Sequence, residues 1–183
     1  MENKPVRLET IECWLNDGYW RIRVAAMNAC EGRKDVPFAI IERGLRDGDC
    51  NVRRCAMRAC KGRSDLPAKV FEIGSKDKDK DVRAAAIFAC VDRIEVIETG
   101  MQDRDGAVRK AAMSACISRD VPLEIIESGL KDWDWWVRRE AMKACKGRDI
   151  PAETIERWLE ADEYDESDDC GLRAAALEYL NSK

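Results

Sequence analysis

The sequence predicts an all-α fold, an α-solenoid of about six antiparallel helix pairs stacked side by side. Three observations carry that expectation. A Val-Arg-like step recurs at intervals of 30, 30, 26, 29 and 35 residues, as Ile22-Arg23, Val52-Arg53, Val82-Arg83, Val108-Arg109, Val137-Arg138 and Leu172-Arg173. Other residues keep register with it. A Cys follows the Arg by seven positions at Cys30, Cys60, Cys90, Cys116 and Cys145, and a second Arg follows by ten at Arg33, Arg63, Arg93, Arg119 and Arg148. An Asp precedes it by six at Asp17, Asp47, Asp77, Asp103 and Asp132. Finally, apolar residues fall at helical spacing, and no segment alternates as a half-buried strand would.

Each repeat divides into two helices. The first is typified by Pro37–Leu45 and Pro122–Leu130 and carries an Ile-Glu or Phe-Glu step, as at Glu42, Glu72 and Glu127. Its proline suits the first helical turn, where no N–H is needed. The second helix is typified by Asn51–Cys60. It follows an Asp at Asp49, Asp79, Asp105 or Asp134, each placed to cap free N–H groups. It closes near Gly32, Gly62 or Gly147, where a left-handed C-cap is favourable. Val52, Ala56, Met57, Ala59 and Cys60 make its inward face, and the small alanines allow close helix approach. One pair cannot bury such a stripe alone, whereas stacked pairs can. The repeats run approximately 5–33, 34–63, 64–93, 94–119, 120–148 and 149–183, within one repeat domain covering 1–183.

Two repeats depart from the pattern. The stretch from Arg93 to Asp103 is four residues shorter than Arg63 to Asp77. It is expected to lack a turn of its first helix and to change the local curvature. The last repeat carries an acidic loop, Ala161–Gly171, and lacks the recurrent Asp, as terminal repeats often do.

Composition narrows the function. The chain of 183 residues has a net charge of -4, 37% charged residues and no histidine. A His general base, a Ser-His-Asp triad and a His metal ligand are therefore excluded. The nine cysteines include no Cys-x-x-Cys pair. Their recurrence at one helical position marks small reduced hydrophobes, not a disulfide framework or a zinc site. Gly-rich phosphate loops are absent. The acidic residues Asp162, Asp165, Asp168 and Asp169 lack calcium-loop spacing and read as a solvated loop. No cofactor and no metal are expected. No apolar run is long enough to span a bilayer, and the N-terminus has no signal-peptide core, so a cytoplasmic protein without membrane association is expected.

The stretches DGDCNVRRCAMRAC, DRDGAVRKAAMSAC and DWDWWVRREAMKAC resemble the HEAT-repeat family in its short bacterial HEAT-like form. The resemblance spans nearly the whole chain. It implies a right-handed superhelix. It also implies a hydrogen-bonded Asp/Arg ladder between repeats, carried by Asp17/Arg23, Asp47/Arg53, Asp77/Arg83, Asp103/Arg109 and Asp132/Arg138. Arg suits this role because its planar fork bridges several acceptors. In such arrays the second helices line a concave face. Positions one, five and eight after the ladder Arg then point outward. They read Val24, Asn28 and Glu31, then Arg54, Arg58 and Lys61, then Ala84, Phe88 and Val91, then Lys110, Ser114 and Ile117, then Arg139, Lys143 and Lys146, then Ala174, Glu178 and Asn181. This face is basic in the second and fifth repeats and apolar in the middle, at Phe88, Val91 and Ile117, while residues 153–169 are strongly acidic.

The expectation for function is a non-enzymatic scaffold that binds a protein or peptide with an acidic segment on this concave face. Self-association would be weak or absent. Trp135 and Trp136 beside Arg139 add an aromatic pair suited to anchoring a peptide or stacking a base. Trp14 and Trp158 are expected to serve packing. The alternative is nucleic-acid binding on a basic groove. The chain looks somewhat like bacterial alkylpurine DNA glycosylases, which share HEAT-like repeats, and Trp135, Trp136, Asp134 and Arg139 would be the matching cluster. Likeness to the HEAT-like bilin lyases extends no further than the repeat.

Overall fold

Short capped helices succeed one another along the chain. The computed structural model describes residues 5–90, 93–117, 119–161 and 170–181, and among them it contains twelve α-helices and no strand. These are α1 (Leu8–Leu15), α2 (Trp20–Asn28), α3 (Phe38–Leu45), α4 (Cys50–Ala59), α5 (Ala68–Ser75), α6 (Lys80–Ala89), α7 (Ile94–Met101), α8 (Gly106–Cys116), α9 (Leu123–Leu130), α10 (Trp135–Cys145), α11 (Ala152–Ala161) and α12 (Cys170–Asn181). No helix among the described residues is long and apolar enough to cross a membrane. The chain forms two compact units, Met1–Val96 and Ile97–Lys183.

The helix ends follow from local chemistry. Asp49, Asp79 and Asp105 each accept a bond from a backbone N–H of the helix they precede, a cap worth about 1 kcal/mol. Asp134 does not cap α10. Its carboxylate accepts instead from Arg109 Nη2 at 3.0 Å. Gly106 permits this, because a Cβ at that position would collide with Asp134 Oδ2. The prolines stand one position earlier than expected. Pro37, Pro67 and Pro122 occupy the N-cap itself, with φ of -60°, -62° and -52°. There each proline carbonyl accepts the first helical N–H, from Ile40, Val70 and Ile125. Gly32, Gly62 and Gly147 do adopt the left-handed conformation, at φ 75°, 72° and 77°.

The short fourth repeat keeps its helix. α7 has eight residues, as do α1, α3, α5 and α9. The deletion falls in the turn, so Arg93 directly precedes α7, whereas four residues, Ser64 to Pro67, separate Arg63 from α5. The helix is retained because Val96 and Ile97 must be buried, and a turn contributes no such area.

In the N-terminal unit, α2, α4 and α6 pack in sequence, and α1, α3 and α5 each cover the second helix that follows. Val52, Ala56, Met57, Ala59 and Cys60 are all fully buried, as their spacing implied. Gly74 lets α5 lie close: a Cβ there would stand 2.6 Å from Met57 Sδ and 2.8 Å from Ala86 Cβ. In the C-terminal unit, α8, α10 and α12 pack in sequence, with α9 on α10 and α11 on α12. Trp158 is buried and Trp14 half-buried, so both have the packing place expected of them. Tyr179 of α12 donates to the Arg148 carbonyl at 2.7 Å and accepts from Ile150 N at 2.9 Å, tying the turn before α11.

The Asp/Arg ladder exists, but its side-chain partners are shifted by one repeat. Arg23 donates to both carboxylate oxygens of Asp47, at 2.7 and 3.0 Å, and Arg53 does the same to Asp77, at 2.8 and 2.9 Å. The Asp six residues upstream contributes its backbone carbonyl instead. Asp17, Asp47, Asp77, Asp103 and Asp132 accept from Arg23, Arg53, Arg83, Arg109 and Arg138 in this way. Each Asp side chain is already holding its own turn, as when Asp47 Oδ1 accepts from Asp49 N at 2.9 Å. One carboxylate thus fixes a tight turn and receives the fork of the preceding repeat. A second set of arginines reaches backward: Arg63 donates to the carbonyls of Arg33 and Val36, and Arg148 to those of Cys116 and Arg119.

Candidate partner-binding surface

The second helices of the N-terminal unit turn one side inward and the other to solvent. On α4, Arg54 is half-buried while Arg58 and the following Lys61 are exposed; on α6, Phe88 is 49% exposed. Together with Ala84 they line an open pocket of about 450 Å³. The expected cluster therefore comes together for four of its members. Val91 lies outside the described residues, as do Asp162, Asp165, Asp168 and Asp169 of the acidic loop.

Two carboxylates stand on the same rim, Glu31 from the outward set of the first repeat and Asp81, which that register does not include. Glu31 accepts from Arg58 at 2.9 Å, and Asp81 lies 3.9 Å from Arg54. Lys61 has no ion pair among the described residues. The pocket is thus positive by one charge, with the exposed Phe88 ring in its lining. Glu31 occupies the position of Lys61 one repeat earlier.

In the C-terminal unit the outward positions are likewise exposed. Lys110 and Ile117 lie on α8 and at its end, and Arg139, Lys143 and Lys146 on α10 and at its end. Lys143 pairs with Glu140 at 2.7 Å. Trp135 and Trp136 stack on each other, with ring centroids 4.2 Å apart, and Trp136 stays 46% exposed. Trp133, outside the expected cluster, is the most exposed large apolar side chain among the described residues, at 75%.

The buried groups around these surfaces are inert. Burial pushes the recurrent thiols up, to about 11 at Cys30, Cys116 and Cys145 and about 12 at Cys60. Each of these four Sγ atoms donates to the carbonyl four residues before it. They are space-filling hydrophobes with no thiolate to offer at neutral pH. No group of three or more Cys, Asp or Glu among the described residues is arranged to hold a metal ion. No protein-family model matches the chain, and no curated protein is significantly similar to it.

Proposed function

We propose that this protein is a non-enzymatic, cytoplasmic HEAT-like scaffold that binds an acidic protein segment on the solvent face of its second helices. The observation that carries this reading is Phe88, exposed in a pocket rimmed by Arg54, Arg58 and Lys61. An aromatic anchor ringed by cations suits a segment that offers an apolar residue among carboxylates. Glu31 and Asp81 repel any anion that approaches without donors, and they favour a peptide over a nucleic acid because a peptide backbone brings N–H groups for these carboxylates to accept, whereas a phosphate backbone brings none. The same reading includes six helix pairs wound as a right-handed superhelix. It is supported by the in-sequence packing of α2, α4 and α6 and of α8, α10 and α12. In the C-terminal unit the outward residues Lys110, Ile117, Trp135, Trp136, Arg139, Lys143 and Lys146 are proposed as binding residues in their own right.

Affinity capture with the wild type and with an Arg54→Glu/Arg58→Glu/Phe88→Ala variant tests the proposal. The acidic-segment partners are expected to be lost from the variant, whose helical circular dichroism stays unchanged. Identical partner sets would end it. A gel shift at low salt separates the alternatives, since salt-sensitive DNA or RNA retention marks a phosphate-binding groove. Base release from alkylated DNA would mark a glycosylase.

A further inference from the structure

We propose that the C-terminal unit holds a second, differently charged site beside Trp133, which receives an arginine side chain from a basic protein segment. Trp133 sits between Asp132 and Asp134 in the turn before α10, and it is the most exposed large apolar side chain described. The turn beneath it is held firmly. Asp134 N bonds Asp132 Oδ1 at 2.9 Å, and the Trp133 carbonyl accepts from Arg138 Nη1 at 3.1 Å. One side of the indole is also occupied, since the Arg109 guanidinium lies 4.7 Å from the ring centroid. The rest of the ring borders an open cleft of about 640 Å³ that also includes Glu124, Glu127 and Ser128 of α9.

The charge of this cleft selects the ligand. Arg109 is already matched by Asp132 at 2.7 Å and Asp134 at 3.0 Å, and Arg138 bonds the same turn, so that cluster has no cation to spare for an anionic ligand. Glu124 and Glu127 form no ion pair among the described residues and stand one turn apart on α9. Arg104 and Lys131 also border the cleft, and they offset only part of this. The lining carries four carboxylates, Asp103, Glu124, Glu127 and Asp132, against three cations, Arg104, Arg109 and Lys131. A fixed indole within a net-negative cleft is suited to a cation that stacks flat and accepts carboxylates edge-on. Guanidinium does both, and a lysine ammonium does only the second. An anionic ligand would be repelled by Glu124 and Glu127, which the cations in the lining offset only in part. The pocket at Phe88 in the N-terminal unit is not involved, so this site stands or falls separately from the proposed function.

Calorimetric titration of the full chain near physiological ionic strength tests the site, with acetyl-Gly-Arg-Gly-Arg-Gly-amide as the probe. The same peptide with Lys or Glu in place of Arg, and tetramethylammonium chloride, serve as comparisons. The arginine peptide is expected to bind, the lysine peptide more weakly, and the glutamate peptide not at all. Trp133→Ala and, independently, Glu124→Gln/Glu127→Gln are each expected to weaken binding at least tenfold, with Trp133→Phe between. The glutamine pair leaves the Arg109 cluster untouched, so it keeps the test open if Trp133→Ala fails to fold. No binding to the wild type, or affinity unchanged in the glutamine variant, overturns the proposal. A lowered melting temperature in Trp133→Ala without any wild-type binding would show that the indole only shields the ion pairs. Preference for tetramethylammonium over the arginine peptide would also overturn it.

Discussion

The rung at Arg53 and the rung at Arg109 use the same recurrent residues but face the solvent differently. Arg53 is matched by one carboxylate, Asp77, and the turn residue beside it is Lys78. Arg109 is matched by two, Asp132 and Asp134, and Trp133 lies over it. Two non-recurrent residues make the difference. Gly106 opens the space into which Asp134 swings, where the equivalent positions hold Cys50 and Lys80. Trp133 takes the middle of a turn that elsewhere holds Gly48, Lys78 or Arg104. The ladder thus holds the backbone constant while one or two variable positions set the sign of the adjoining surface.

The largest expected effect comes from removing the guanidiniums. Arg53→Ala leaves a buried carboxylate without its partner and is expected to cost about 3–5 kcal/mol in urea unfolding. Arg109→Ala leaves two carboxylates facing one another and should lie at or above the upper end of that range. Equal losses would show that Asp134 contributes nothing to its rung.

Acid should weaken the N-terminal rungs next. Burial opposes ionisation of Asp47 and Asp77, but the bonds from Arg23 and Arg53 outweigh it and hold both carboxyls below their ordinary range. A carboxyl depressed in the folded state adds stability above its unfolded pKa of about 3.9. That stability is lost as pH falls through the lower folded value. The urea midpoint should therefore drop steeply below about pH 4. Asp77→Asn should lose roughly 1.5–3 kcal/mol at neutral pH and decline less steeply in acid. An unchanged acid profile in that variant would remove Asp77 as a source of the drop.

Gly106→Ala is expected to have the smallest effect. Its Cβ displaces Asp134 from Arg109, losing a charged hydrogen bond of about 1.5–3 kcal/mol. The freed carboxylate can then cap α10 and return about 1 kcal/mol. A net loss on the order of 1 kcal/mol follows, whereas Cys50→Ala at the matching position should be nearly neutral. A loss from Cys50→Ala as large as that from Gly106→Ala would detach the effect from Asp134.

Much of this architecture can be read without coordinates. The 30-residue register, the period of the apolar residues and the Asp and Gly caps define where helices begin, end and face, because each depends on residues close in sequence. The fully buried Val52, Ala56 and Cys60 and the exposed Arg58, Phe88 and Lys143 occupy the sides that spacing assigns them. Errors arose wherever a residue had several partners within reach. Asp134 had a helix end and an arginine available, the ladder arginines had carboxylates in their own and the next repeat, and four missing residues had either a turn or a helix to be taken from. Which option wins depends on distances across repeats and on the room left by a single absent Cβ at Gly106. Those quantities are set by packing between segments 23 to 30 residues apart, so no local pattern records them. Trp133 lying over Arg109, with the charge that surrounds it, is a product of that packing.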